Sequence, residues 1–488
     1  MSPSVESNFA GRLLRRLGVG SHLTDAATGT KISAGEISAL TVGMAAGFLS
    51  AGLQPGDTLL IRCSLTPFST LAYLGAMYAG LVPIPVDDRV FQSSGKSLFL
   101  KTRAAAVWTE SDSQCAWAAE AGAKYLSGLF PVRPDDSLAP VSRASDDLAA
   151  LMPTSGSTGT PRLVQVTHGN LIANTEAIIR SQSLGTEECA MLILPLSYCF
   201  GASVVHTHFY QGGGVVFDSR FMFPDKVLRA ISTFGCTTFA GVPTVYAILT
   251  GRSSLRSIPL PGLKRFLQAG GALDARTLQT MREIVPSARF FVMYGQTEGT
   301  ARITCLPADR LDDKFGSAGL PLDNLELRIV DEAGLEVPKG QVGEVWVKGP
   351  SICPGYFEDP EETERKFSHG WLKTGDMASL DEDDYLWIKG RKGDFMKIRG
   401  VRVSFAEVEA CVGAMHGVSE CAAASVIHPE AGEALTLFLV AKNGAADLPE
   451  RVRQSLPAHW TCVAVHLVPA LPRTSNGKLA RSLLKASV

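Results

Sequence analysis

No stretch of this sequence reaches the roughly 20 uncharged apolar residues that a membrane-spanning helix needs. None of its ten cysteines, scattered from Cys63 to Cys462, forms a CxxC pair. A metal knuckle or a disulfide framework would need tighter spacing, so reduced thiols in a cytoplasmic protein are expected. An excess of one charge is also missing: 46 basic residues face 48 acidic ones, for a net charge of −2. A chain so balanced gives no reason to expect a nucleic-acid surface. Internal repeats and low-complexity tracts are absent, which excludes solenoids and disordered linkers as the main architecture. The N-terminal segment has Arg12, Arg15 and Arg16 but no apolar run behind them. It does not read as a secretory signal, and residues 8–17 are expected to form an amphipathic surface helix.

What is present is an ordinary globular composition, 45% hydrophobic and 19% charged, over 488 residues. That length exceeds what one hydrophobic core usually organises, so two or more domains are expected. Residues 38–51 carry apolar side chains at helical spacing, 57–63 read as a buried strand, 71–80 as a tightly packed Ala- and Gly-rich helix, and 81–86 as the next strand. Strand, helix, strand in that order predicts parallel α/β architecture. The alternation continues through strand-like runs at 190–195, 214–217, 237–240 and 290–293. From Leu325 the texture changes to hairpins, and from about Gly390 a charged loop leads into a further α/β pattern. A domain boundary is placed there, giving 1–390 and 391–488.

Five short strings carry chemistry. Pro153–Arg162, PTSGSTGTPR, sits between two apolar runs. Gly156 and Gly159 let the backbone curl, and the hydroxyls of Thr154, Ser155, Ser157 and Thr158 add donors, a combination suited to a polyphosphate. It lacks the lysine of the GxxxxGK[ST] nucleotide loop. YGQTEGT, Tyr294–Thr300, follows a strand-like run, at the carboxyl edge where open α/β sheets bind ligands. There Tyr294 suits a purine face, Thr297 a phosphate oxygen, and Glu298 a Mg²⁺ ion. Asp376, in Thr374-Gly375-Asp376, suits vicinal ribose hydroxyls, and in the fourth string, GRKGDFMKIRGVRVSFAEVEA from Gly390, Arg391 offers a planar fork of donors. The fifth string is PRTSNGKLAR, residues 472–481, with Lys478. Each alone reads equally as a polar turn or solvated loop; their conjunction in one order does not.

Taken together, the five strings resemble the adenylate-forming superfamily of acyl-CoA synthetases, non-ribosomal peptide adenylation domains and luciferases, along essentially the whole chain. The resemblance implies a large N-terminal α/β domain with a β-rich subdomain and a small mobile C-terminal α/β domain. It implies that a carboxylate attacks the α-phosphorus of ATP, releasing pyrophosphate, and that a thiol then takes the acyl group from the adenylate, releasing AMP. Coenzyme A is the expected thiol; the alternatives are an acyl carrier protein or competence in only one half-reaction. By the same resemblance PTSGSTGTPR is the phosphate loop, with Gly295 and Thr297 in the adenine and Mg²⁺ motif and Gly270-Gly271-Ala272 along the adenine. Lys478 would bridge the carboxylate and the α-phosphate, Glu298 would hold Mg²⁺, and Gly400 would line a thiol tunnel once the small domain rotates. Tyr198, Phe200, Gly201, Gly241, Val242, Thr244 and the 270 strip would border the acyl pocket.

Three positions depart from the common pattern. Arg162 ends the phosphate loop where many relatives have Lys, keeping the charge. Gly393 occupies the usual hinge position, where Asp or Lys is common, and permits rotation without a polar latch. Gly201 stands where amino-acid-activating members carry an Asp, which argues for an aliphatic or aryl carboxylate rather than an α-amino acid.

Overall fold

The computed structural model describes residues 7–111, 116–130, 138–154, 161–398, 401–428, 432–442, 447–457, 460, 462–473, 479 and 481–484. They divide into two compact units. The larger comprises the described chain up to Leu327 together with Val347–Leu372; the smaller comprises Arg328–Trp346 and the described residues from Lys373 onward.

The larger unit is built on a nine-stranded sheet. Its six central strands are parallel, in the order Arg289–Tyr294, Arg265–Gln268, Thr238–Gly241, Cys189–Leu192, Gly214–Phe217 and His22–Asp25. Antiparallel strands close both edges: Thr304–Leu306 and Leu320–Pro321 on one side, Lys31–Ser33 on the other. The inner four of these strands are wholly buried, so they read as short continuous runs rather than alternating ones. The chain passes from 189–192 to 214–217 on one side and then crosses back to 238–241 on the other. That reversal is the switch point beside which open α/β sheets leave a crevice at their carboxyl ends.

A second, four-stranded parallel sheet pairs Thr58–Cys63 with Val82–Asp87 and Ala106–Thr109, the parallel arrangement expected from the early strand, helix, strand pattern. The helix between its first two strands, Pro67–Tyr78, is capped by Thr66 and begins with proline. It packs closely on the helix Ala34–Ser50: a Cβ on Gly75 would come within 2.5 Å of the Met44 Cβ. The N-terminal helix, Phe9–Leu14, is present but is no surface element. Phe9, Ala10 and Leu13 are fully buried. Asn8 caps it and also donates to the carbonyls of Met77 and Val141, partners too distant in sequence to be read from the segment itself.

A five-stranded sheet includes Glu326–Val330, Gly343–Lys348, Trp371–Leu380 and Leu386–Arg391, the hairpin texture expected from Leu325 onward. Further on, the hairpin Phe395–Ile398 and Val401–Ser404 leads into the helix Phe405–Gly413. A three-stranded sheet of Val418–His428, Gly432–Ala441 and Cys462–Leu467 completes a separate core around Val408, Leu437 and Val452. Arg481 ties this part together, donating to both oxygens of Glu409 (2.6 and 2.9 Å) and to the carbonyl of Ala423 (2.7 Å). Among the described residues no cysteine is in a disulfide, and no helix is long and apolar enough to cross a membrane.

Candidate active site

Four neighbouring strands of the larger sheet deliver their carboxyl ends to one edge. The strand Cys189–Leu192 runs on to Tyr198 and the helix Cys199–Tyr210, Thr238–Gly241 to Val242, Arg265–Gln268 to Gly270, and Arg289–Tyr294 to the turn Thr297–Gly299. Gly270 has φ +90°, and a Cβ there would lie 2.9 Å from the Tyr198 hydroxyl and 3.3 Å from a Val242 methyl. Only glycine fits that conformation and that gap. Gly271 and Ala272 follow on the exposed surface, a strip of backbone with little side chain. Gln268, fully buried, pins the strip by donating to the Gly271 carbonyl (2.7 Å), while its own Oε1 has no partner.

At the neighbouring strand end, Gly295 is demanded by sterics: a Cβ would sit 1.9 Å from the Ala301 carbonyl. The chain therefore folds back on itself around Thr297 and Glu298. Thr300 is held at φ +67°, unusual for a β-branched residue, and its hydroxyl donates to the Ser351 carbonyl (2.6 Å). Glu298 accepts a 2.6 Å hydrogen bond from the Tyr356 hydroxyl, and its carbonyl accepts from the Cys353 amide. Burial, reinforced by the Glu298 carboxylate, pushes the Tyr356 phenol well above its ordinary pKa, so it remains a donor at any working pH. The Thr297 hydroxyl lies 3.6 Å from the Cys199 sulfur, linking this turn to the 199–210 helix.

The phosphate-loop candidate joins two antiparallel strands, Leu148–Pro153 and Leu163–Thr167. Thr154 donates to the Arg162 carbonyl (2.8 Å), closing the loop's base. Ser155, Gly156, Ser157, Thr158 and Gly159 lie outside the described residues. Arg162 itself is paired with Asp359 (3.2 Å) and Glu362 (3.3 Å). Its charge is thus compensated within the chain in this structure.

In the smaller unit Asp376 is buried at 4% exposure, opposite Arg391 in the strand register, and the two form a 2.9 Å ion pair. The Gly375 amide and the Lys392 ammonium both bind Glu344, at 3.2 and 3.0 Å. Arg473 and Leu479 bridge, fixing the ends of the segment that carries Lys478. Lys478 and Gly400 themselves lie outside the described residues.

The AMP-binding enzyme family matches residues 20–357, and the AMP-binding enzyme C-terminal domain matches 407–478. The chain is a member of the AMP-binding enzyme family. It is 30% identical over 466 residues to a feruloyl-CoA synthase of an Amycolatopsis species, covering 93% of each chain. It is 27% identical to 4-coumarate–CoA ligase 2 of Petroselinum crispum, covering 97% of this chain and 92% of that one. The crystal structure of ATP-bound MatB from Rhodopseudomonas palustris superposes with a TM-score of 0.88 at 27% identity, covering 99% and 98% of the two chains.

Within this AMP-binding fold, Tyr198, Val242 and Gly270 are brought together, and Thr297 meets the start of the helix that carries Phe200. Gly241 closes its strand against Val245, where a Cβ would meet a side chain at 2.8 Å. Thr244 is exposed on the helix Pro243–Arg252. Gly201 is turned onto backbone, where a Cβ would lie 2.3 Å from the Pro195 carbonyl and 2.9 Å from that of Leu194. A cavity of about 10 Å³, lined by Cys199, Ser203, His206 and Thr300 among others, is room for about one water and holds no acyl group.

Tyr356 and Arg302 were missed in the sequence. Tyr356 meets Glu298 across 58 residues of chain and gives no local signal. Arg302 did give one, as a lone charge inside the otherwise apolar and small run that follows Glu298.

Proposed function

We propose that this AMP-binding enzyme is an AMP-forming acid–thiol ligase. It joins ATP and a non-amino-acid aliphatic or aryl carboxylate into an acyl-adenylate with release of pyrophosphate, then passes the acyl group to coenzyme A with release of AMP. The carrying observation is the convergence along the carboxyl edge of the larger sheet: the Gly270 strip beside Tyr198 lies on one strand end and the Glu298 carboxylate on the next. That pairing offers a flat backbone seat for a purine beside an acid for a metal–phosphate group. The coenzyme A ligases among its relatives support the same chemistry.

The donor set suits Mg²⁺. Among the described residues no cluster of three potential metal ligands exists. An ion held by one carboxylate together with substrate phosphates and water matches what Glu298 offers. When bound, that ion supplies charge neutralisation on the phosphates. Glu298 is oriented for this role by Tyr356. Asp376, steadied by Arg391, is the acceptor for the ribose diol, and Lys478 the cation for the α-phosphate oxygens, where charge builds during attack. The packing of Gly201 onto two carbonyls leaves no space for an ammonium-binding Asp, which supports a substrate without an α-amino group. The hinge is placed at Arg391–Gly393, and Gly400 in the path of the thiol.

The test is incubation of purified protein with ATP, Mg²⁺, coenzyme A and a panel of aliphatic, aryl and amino acids, read by mass spectrometry. A thioester and AMP that require both ATP and coenzyme A are expected. Acyl-AMP without thioester would redirect the reading to a carrier-protein acceptor, and activation of amino acids alone would overturn it.

A further inference from the structure

Arg302 is among the most deeply buried side chains of the larger unit, 2% exposed and four residues beyond Glu298. Its backbone is clamped on both sides: the amide donates to Asn174 Oδ1 (3.2 Å) and the carbonyl accepts from Asn174 Nδ2 (2.8 Å). The guanidinium therefore has a fixed origin. Yet its Nε has no hydrogen-bond partner, and among the described residues no acidic side chain lies within ion-pairing distance. The titratable groups that act on its charge are two thiols and a phenol, Cys305, Cys199 and Tyr198. Burial pushes the Cys305 thiol up to about 11 and the Tyr198 phenol above its ordinary range, so neither supplies a negative charge.

A second buried arginine of the same unit is compensated in the ordinary way. Arg265 pairs with Glu188 and donates to the Ser183 carbonyl (2.9 Å), at the opposite, amino end of the parallel strands. Arg302 receives nothing comparable. It lies with its guanidinium carbon 4.7 Å from the centre of the Phe200 ring, a contact that orients a cation without neutralising it. Phe200 meets Tyr198 edge-on at 6.3 Å, and Tyr198 in turn touches the Gly270 strip. Two aromatic rings thus separate the nucleotide strip from an uncompensated buried cation. Guanidinium does not deprotonate under these conditions, and no described residue supplies its counter-charge, which leaves the position open to an anion brought by the substrate.

We propose that Arg302 is a specificity-determining residue of the acyl pocket, and that the acid this enzyme activates carries a second carboxylate at its far end, received by Arg302. This rests on the ligase reading above and names its substrate class: dicarboxylic acids, aliphatic or aryl. The cavity of about 10 Å³ beside Ala301 and Asn174 is too small for a carboxylate, so in this proposal the acid parts the Tyr198 and Phe200 rings to reach Arg302. A dianion gains a bidentate ion pair by doing so; a plain hydrocarbon chain gains none.

The experiment measures pyrophosphate release without coenzyme A for wild type, Arg302→Met and Arg302→Lys. The substrates are dicarboxylic acids of three to ten carbons, aryl dicarboxylic acids and their length-matched monocarboxylic counterparts. Wild type should prefer its best dicarboxylate over the matched monocarboxylate by roughly 100-fold or more in kcat/KM. Arg302→Met should erase that preference mainly through KM while retaining turnover of the monocarboxylate, and Arg302→Lys should restore part of it. A wild type that favours monocarboxylates overturns the inference without any variant. A preference unchanged in Arg302→Met also overturns it, leaving Arg302 a packing residue. Activation of no acid at all by wild type would sink the ligase reading itself, a different signature from either.

Discussion

Glu298 depends on a neighbour for its aim. Tyr356 donates to it at 2.6 Å, and a carboxylate so held loses rotational freedom before any metal–phosphate group arrives. Glu298→Gln should lower the rate of adenylation by roughly 100-fold or more, since an amide neither neutralises charge nor holds a hard cation. Tyr356→Phe should cost about 10-fold, expressed as weaker Mg²⁺ dependence, because only orientation is lost. Titrating Mg²⁺ against initial rate for both variants checks this; a Tyr356→Phe enzyme with wild-type Mg²⁺ dependence would remove the phenol from the site. Gly201 makes the opposite kind of argument. Gly201→Asp should not recruit amino acids, because its Cβ collides with two carbonyl oxygens and its charge would be buried beside them. A loss of about 3 kcal/mol in urea unfolding is expected, with no amino-acid-dependent pyrophosphate release.

The helix Cys199–Tyr210 is buried along its whole length, including His206 and His208, while the buried His168 opens the half-buried helix His168–Gln182. Burial depresses the three imidazoles to about 3 for His206, about 4 for His208 and about 3 for His168. In an unfolded chain each titrates near 6.5. Between those values the unfolded state binds protons that the native state refuses, so the stabilisation is fully present above about pH 6.5 and is lost as pH falls toward 4. At pH 4.5 each imidazole costs about 2–3 kcal/mol, and three together approach the whole stability of a typical domain. Urea midpoints should therefore drop steeply from pH 7 to pH 5. His206→Phe, a ring replacing a ring between Phe9 and Tyr73, should flatten that slope; an unchanged slope would show that His206 does not titrate on unfolding. These elements also mark what the sequence could disclose. Strands such as Gly214–Phe217 and Arg289–Tyr294 were legible because a buried parallel strand is a short apolar run bounded by polar turns. Their neighbours were not, because pairing 189–192 with both 214–217 and 238–241 is a long-range choice with no local trace. The site divides the same way. Gly295, Thr297 and Glu298 form one contiguous string, whereas Tyr356 reaches Glu298, and Asp359 and Glu362 reach Arg162, only through the fold.

The two half-reactions make opposite demands on the chain, and two substitutions should separate them. If Lys478 is the cation at the α-phosphate, as proposed above, it serves only the first, so Lys478→Ala should cut acyl-AMP formation by roughly 100-fold or more while leaving conversion of supplied acyl-AMP to thioester near wild type. Gly393 should show the reverse. It lies in the short turn Lys392–Asp394, its φ is not positive, and a Cβ there would meet nothing within 4 Å. Neither sterics nor conformation in this structure requires glycine; on the proposed hinge reading, glycine serves a second backbone conformation that the residue must also reach. Alanine at 393 should then fold normally, and proline, which fixes φ near −65°, should hold one conformation and forbid the other. Gly393→Pro is expected to keep pyrophosphate release within about threefold of wild type and to lose thioester formation by more than about 10-fold. Measuring both half-reactions on both variants distinguishes a hinge from a spacer: equal losses in the two steps for Gly393→Pro would mean that the turn only connects, and that both reactions run on a single arrangement of the chain.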